Sequence, residues 1–253
     1  MKPLTVLLLS ACSGVLIGSH PSGAAEETPD IHEIVARMDK LYRAETSYAE
    51  VEMDIVTPNW ARTLRMRMWT QGMDRTFITI TSPKKDAGIA TLRKGTEMWN
   101  YFPKINKVMK VPPSMMMGSW MGSDFTNDDL VKESSYTEDY DPALGEPERD
   151  DVYEIVLTPG METATVWGKI VFTVRKADLM PIRQDFYDEK GHRMREMVFR
   201  EVRAFGGRTL PAVMEMTPLN KEGHRTVIRY IDARFDQRLE KGVFTRRNLQ
   251  KRR

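Results

Sequence analysis

Cysteine is nearly missing from this chain of 253 residues; the single one is Cys12. It falls inside a segment that reads as an export signal, so a chain processed after that segment carries none. Structural disulfides, thiol catalysis and cysteine-bound metals are then excluded. Histidine is almost as scarce. Of the four, His32, His192 and His224 lie beyond that segment, and no two of them are spaced as zinc ligands are. No glycine-rich phosphate loop is present. Ser119 and Ser123 stand in Gly-Ser dipeptides without the Gly-x-Ser-x-Gly setting that exposes a hydrolase nucleophile. Asp124, Asp128 and Asp129 do not follow the spacing of a calcium loop. Past the first residues, no stretch approaches the roughly 18 uninterrupted apolar residues of a membrane helix. With 38 basic against 36 acidic residues, no overall field recruits nucleic acid. These absences lower the odds of catalysis, and no cofactor or metal is expected.

What is there begins with residues 1–25. Lys2, the apolar run Leu4 to Ile17 and the small-residue ending Gly23-Ala24-Ala25 predict an export signal, with the mature chain starting at Glu26. A competing reading takes Leu9-Ser10-Ala11-Cys12 as a lipoprotein processing site that anchors the chain to a membrane through Cys12. Residues 26–253 show neither a linker nor an internal repeat, and read as one domain. Between Pro29 and Thr46 the residues Ile31, Ile34, Val35, Met38, Leu41 and Tyr42 recur at helical spacing, with Asp30 placed as a cap.

From Ser47 the period changes to two. Val51, Met53 and Ile55 alternate with acids, and Leu64, Met66 and Met68 alternate with arginines. Further strands are expected over 75–81, 87–94, 97–102, 107–111, 152–158, 166–175, 181–187, 193–202, 209–216 and 226–235. Short polar turns bearing glycine or proline separate several of them, which marks an antiparallel meander. About a dozen strands curl rather than stay flat, and their apolar face looks inward. Alternation places Val51, Met53, Ile55, Leu64, Met66, Met68, Ile170 and Phe172 inward. In the strand over 97–102, Trp99 and Tyr101 lie opposite Met98 and Phe102, and the reading places Trp99 and Tyr101 inward.

One segment fits neither period. Met115 to Leu130 packs four methionines with Trp120 and Phe125, and Gly118 and Gly122 interrupt it. Methionine is unbranched and polarizable, which suits a surface that accepts a ligand of variable shape; a loop covering the core is the plainer reading. Met115, Met116, Met117, Trp120, Met121 and Phe125 are the candidate lid, with Met115 to Met121 its mobile part. Two charge biases remain. Asp124 to Asp151 holds eleven acidic residues, and Arg246 to Arg253 holds five basic ones; each reads first as solvated surface and second as a docking patch. Arg62, Arg65, Arg67, Arg75 and Arg93 read either as a basic rim for lipid head groups or as outward strand charges.

Met98-Trp-Asn-Tyr-Phe-Pro103, Trp120-Met-Gly-Ser-Asp-Phe125 and Asp129-Leu130 resemble the bacterial outer-membrane lipoprotein-sorting proteins, relatives of the LolA and LolB carriers. The downstream half agrees, through Tyr153 to Pro159, Leu179 to Ile182, Phe186 to Gly191, Gly206 to Pro211 and Val243 to Thr245. The resemblance implies a mainly β (α+β) protein, an unclosed antiparallel barrel of about eleven strands with a helical lid over an apolar cavity. It implies a non-enzymatic periplasmic carrier of lipoprotein acyl chains or phospholipid, with transient membrane contact and an inner-membrane transporter as partner. The alternative is an exported adaptor, a subunit of a lipid exporter or envelope complex whose core is filled.

Overall fold

The computed structural model describes residues 30–131, 135–163 and 165–251. The segment expected to be an export signal, Cys12 and the last two arginines lie outside the described residues.

Helix α1, Ile31–Lys40, forms where the helical period predicts it. The Asp30 carboxylate accepts the His32 amide at 2.9 Å, so the first turn is capped. Glu33 sits in the first turn and Arg37 and Lys40 in the last, which suits the helix dipole. Ile34, Val35 and Met38 form its buried stripe.

Thirteen strands follow: β1 (Thr46–Val56), β2 (Ala61–Gln71), β3 (Arg75–Ser82), β4 (Ala90–Lys94), β5 (Glu97–Phe102), β6 (Lys107–Lys110), β7 (Tyr140–Leu144), β8 (Val152–Pro159), β9 (Lys169–Arg175), β10 (Pro181–Tyr187), β11 (Arg193–Phe205), β12 (Arg208–Pro218) and β13 (Arg225–Phe235). They form one antiparallel sheet in the order β6-β5-β4-β3-β2-β1-β13-β12-β11-β10-β9-β8-β7. Every neighbouring pair is consecutive in the chain except β1 with β13. That pairing folds the meander's two halves together, and β6 and β7 remain as unjoined edges. The sheet is a curved, unclosed barrel.

The count exceeds the eleven strands that the resemblance implies. β7 is the strand that alternation did not reveal. Its residues, Tyr140-Asp-Pro-Ala-Leu144, fall within the acidic stretch and carry Pro142, which an edge strand tolerates because one of its sides needs no partner. β4 also starts three residues later than expected, at Ala90.

The chain between the two edges supplies the cover. Residues 111–139 leave β6, pass through a 3₁₀ turn at Pro113–Met115 and form α2 (Asn127–Val131) and α3 (Tyr136–Asp139) before entering β7. Asp39, near the end of α1, holds the start of α3. Its carboxylate accepts the Tyr136 amide at 2.8 Å and the Thr137 amide at 3.0 Å, as an anion at a helix N-terminus does.

Two buried clusters lie on the concave side. One joins Leu41 to β1, β2 and β3, to Trp120 and to the far strands through Leu210 and Tyr230. The other joins Ile34, Val35 and Met38 to Ile155, Leu157, Ile170, Phe172 and Phe186. A third cluster lies on the opposite face of β3 to β5, where Phe77, Ala90, Leu92, Trp99 and Tyr101 meet Val243 and Leu249 of the C-terminal segment. Helix α4 (Arg246–Leu249) belongs to that segment, and its N-cap Thr245 accepts the Asn248 amide.

This third cluster reverses the expected orientation of Trp99 and Tyr101. Leu92 pairs with Trp99 and Ala90 with Tyr101, and all four point outward, while Met98 belongs to the concave cluster. Alternation marks two faces but cannot say which is inner when both are covered.

Candidate functional site

A cavity of about 310 Å³ lies between the concave sheet and its cover. That is at the lower end of the roughly 300–1,000 Å³ typical of small-molecule clefts. Val51, Met53, Met66 and Met68 line it from β1 and β2, Ile170 and Phe172 from β9, and Trp120 and Phe125 from the cover. Ile55 and Leu64 are buried in the same core but do not reach the cavity.

The rest of the cover behaves differently from the sequence expectation. Met115 is 59% exposed and Met117 49%, so neither faces the cavity. Met116 and Met121 pack against the concave core from its margin. Trp120, by contrast, is 4% exposed, and its Nε1 donates to Thr91 Oγ1 at 3.2 Å.

A hydrogen-bond net ties this segment down. Asn127 Nδ2 donates to the Met115 and Gly118 carbonyls at 3.0 and 3.1 Å. Trp120 and Phe125 close a turn through a 2.8 Å backbone bond, and Ser123 Oγ donates to the Trp120 carbonyl at 2.7 Å. Gly122 has a φ of +81°, which glycine adopts at little cost, beside the Trp60 ring. Asp124 is fixed to β13, receiving the Thr226 hydroxyl at 2.7 Å.

Sequence reasoning found Met53, Met66 and Met68 of the methionine wall and missed the rest. Eight methionines line the cavity, among them Met197 on β11 and Met214 and Met216 on β12. Their signal was present: 195, 197 and 199 share one face of β11, but the first of these is Arg195, which hides the apolar pattern.

Arg195 and its neighbours add polar groups to the cavity lining. Arg195 Nη1 and Nη2 donate to the two oxygens of Asp129 at 2.8 and 2.6 Å, a forked pair that joins β11 to α2. The guanidinium also lies 4.5 Å from the Trp167 ring centre and 4.2 Å from that of Phe186. Burial raises the Asp129 carboxyl, but bonding to Arg195 and Thr126 outweighs it and holds the group below its ordinary range. Nearby, Gln184 Nε2 donates to the Tyr136 hydroxyl at 2.9 Å, and burial pushes that phenol well up. Also on the lining, Tyr42 stacks on Tyr230 at 5.3 Å, and burial raises Tyr230 to about 12. Burial likewise draws the Arg43 guanidinium down to about 9. For Tyr136, Tyr230 and Arg43 burial is the leading cause, and it works against the charged form.

The arginines read as a rim are occupied elsewhere. Arg65 pairs with Glu52 at 2.9 Å, Arg67 with Glu50 at 3.4 Å and Arg62 with Asp86 at 3.2 Å. Arg75 bonds to Gln71, and Arg93 to the Gly95 and Met73 carbonyls. The acidic stretch is equally mixed, since Asp124 and Asp129 are internal fixtures rather than solvated surface. Among the described residues, no group of three His, Cys, Asp or Glu side chains is arranged to hold a metal, and no helix is long and apolar enough to cross a membrane. The arrangement as a whole can enclose an apolar chain and present a few polar groups to it.

Solved structures have the same architecture. A DUF1329 family protein from Desulfovibrio piger is 26% identical, with 86% of this chain and 97% of that one covered at a TM-score of 0.76. An outer membrane lipoprotein-sorting protein domain from Vibrio parahaemolyticus is 24% identical, with 87% and 98% covered at 0.73. A LolA superfamily protein from Nitrosomonas europaea is 20% identical, with 86% and 98% covered at 0.70. No curated protein matches the chain. A family model described as "-like: Uncharacterized protein" matches residues 72–251, so the chain belongs to that family, on a fold shared with the LolA superfamily.

Proposed function

We propose that the protein is an exported, non-enzymatic carrier that encloses an acyl chain of a lipoprotein or lipid, serving outer-membrane lipoprotein sorting or lipid transport. The observation that carries this reading is the methionine-walled cavity beneath a cover made from the link between the two sheet edges. Methionine walls adapt to chains that differ in length and bend. Each buried methylene contributes about 0.8 kcal/mol, so a modest length of chain holds firmly. Two relatives of this fold are described as a lipoprotein-sorting domain and a LolA superfamily protein, which supports the same reading. In it, residues 1–25 direct export to the periplasm and residues 26–253 act as one carrier domain.

Cargo exchange needs contact with a membrane or a transporter in it. The β6 edge suits that contact. Lys104 and Lys107 lie there with exposed Ile105, Met109, Met115 and Met117, while Lys110 is paired with Glu97. Such a mixture of cations and apolar side chains favours an anionic lipid surface. An adaptor with a filled core fits less well, because about 310 Å³ of the core is open.

Native mass spectrometry of the protein purified from a bacterial host, with and without added phospholipid, tests the carrier reading. An adduct of acyl-chain mass is expected. A bare chain under both conditions would overturn it.

A further inference from the structure

The two ends of the barrel differ. In an antiparallel meander successive turns fall at alternate ends, so turns 57–60, 83–89 and 103–106 share one end. The pairing of Val56 with Arg225 brings turn 219–224 to that same end. These turns form a continuous rim. A Cβ placed on Gly223 would lie 3.1 Å from Pro58 Cγ, one on Gly88 would lie 3.5 Å from Pro103 Cγ, and Asp86 pairs with Arg62 at 3.2 Å.

Three of the turns hold a large apolar side chain in solvent: Trp60 is 44% exposed, Ile105 58% and Leu219 45%. Single exposed apolar residues are ordinary, but these recur at neighbouring tips that are far apart in sequence. Cations accompany them. Lys84, Lys85, Lys104 and Lys221 are exposed in the same turns, against Glu222 and the paired Asp86. Farther round this end the balance reverses, with Asp188 and Glu189 beside Lys190. At the other end, turns 72–74, 95–96, 145–151, 176–180 and 206–207 hold six acidic residues against Arg149 and Lys176, and exposed Leu144 borders them. The basic and apolar sector is local.

We propose that the protein docks end-on to an anionic bilayer through this half of the rim, with Trp60, Ile105 and Leu219 entering the headgroup layer. Indole rings favour that layer, and each lysine held near anionic lipid adds attraction. The inference rests on the carrier reading, which supplies the need for contact, and it carries that contact from the β6 edge round to three further turns.

The test is co-sedimentation of protein purified from a bacterial host with vesicles of phosphatidylglycerol and phosphatidylcholine in about equal parts, or of phosphatidylcholine alone. The mixed vesicles should be bound, and less well at about 0.5 M salt. Lys84→Gln, Lys85→Gln and Lys221→Gln together, all outside the β6 edge, should weaken binding on the order of a hundredfold, since each such lysine contributes roughly fivefold. Ile105→Ser with Leu219→Ser should weaken it about tenfold. An equal loss per lysine in Lys94→Gln with Lys176→Gln, exposed at the other end, would make net charge the cause and overturn the inference.

A second measurement does not depend on those variants. An environment-sensitive fluorophore on Asn220→Cys should shift to the blue on mixed vesicles, and one on Ala177→Cys at the other end should not; the reverse pattern overturns the inference. Equal binding to phosphatidylcholine alone overturns it, and so does binding to neither vesicle, which would leave the sector to a protein partner. The lipid adduct sought by native mass spectrometry decides the carrier reading separately.

Discussion

Arg195 on β11 and Asp129 on α2 meet in a forked pair, 2.8 and 2.6 Å long, that fastens the cover to the wall of the sheet. Among the described residues no strand-to-strand ladder joins the edges β6 and β7, so side-chain contacts of this kind hold the cover. Removing one member of a buried pair leaves the other charged and unpaired, at about 3–5 kcal/mol. Asp129→Ala should therefore lower stability by that order in urea unfolding. A loss below about 1 kcal/mol, the value of an exposed pair, would show that the fastening is superficial.

The same carboxylate gives the protein an acid limb. Burial raises Asp129, but Arg195 and Thr126 together hold it below its ordinary value. The folded protein therefore binds fewer protons than the unfolded chain across that interval. This stabilisation is complete above the ordinary carboxylate range, about pH 4, and fades as pH falls through the depressed value. Melting temperatures followed from neutral pH into acid should fall less steeply for Asp129→Asn than for the unaltered protein. Parallel curves would assign the acid limb to other carboxylates.

The cover divides between Trp120 and its methionine neighbours. Trp120→Ala removes a large buried ring and its bond to Thr91, and large-to-small aromatic changes cost about 3–5 kcal/mol. Met115→Ser with Met117→Ser changes only exposed side chains and should stay within about 0.5 kcal/mol. Dye uptake should follow Trp120 and not the serine pair. Uptake lost in the serine pair alone would return those methionines to the cavity lining.

Filling the cavity separates binding from stability. Met68 lines the cavity and is only partly buried, so Met68→Trp can place its ring in open space. Nile red uptake should fall at least about tenfold, while the melting temperature holds or rises, as cavity filling usually allows. Unchanged uptake would place the ligand elsewhere.

The C-terminal segment should matter to stability and not to cargo. Leu249 is buried with Trp99 and Tyr101 on the far side of the sheet from the cavity. Leu249→Ala should cost about 2–5 kcal/mol, with ligand affinity per folded molecule unchanged. A parallel loss of affinity would show that the two faces of the sheet are coupled.

Much of this was legible beforehand because it depends on local period. The stripe Ile34, Val35, Met38 marks α1, and the alternation Val51, Met53 and Leu64, Met66, Met68 marks strands with an apolar face, since side chains alternate sides along a strand whatever it packs against. β7 was not legible. An edge strand with a proline and charged neighbours carries no alternation to read.

What the sequence by itself determined is the helix, the antiparallel meander and the apolar face. These follow from dihedral preference and side-chain spacing, which act within a few residues. Tertiary structure alone decided which faces the remaining side chains meet. The C-terminal segment lies about 150 residues from β5, yet it covers Trp99 and Tyr101 and so turns them away from the cavity. Nothing in the local sequence marks Arg195 as buried; α2 brings Asp129 against it from 66 residues away. Burial and pairing are properties of neighbours in space, and no spacing along the chain encodes them.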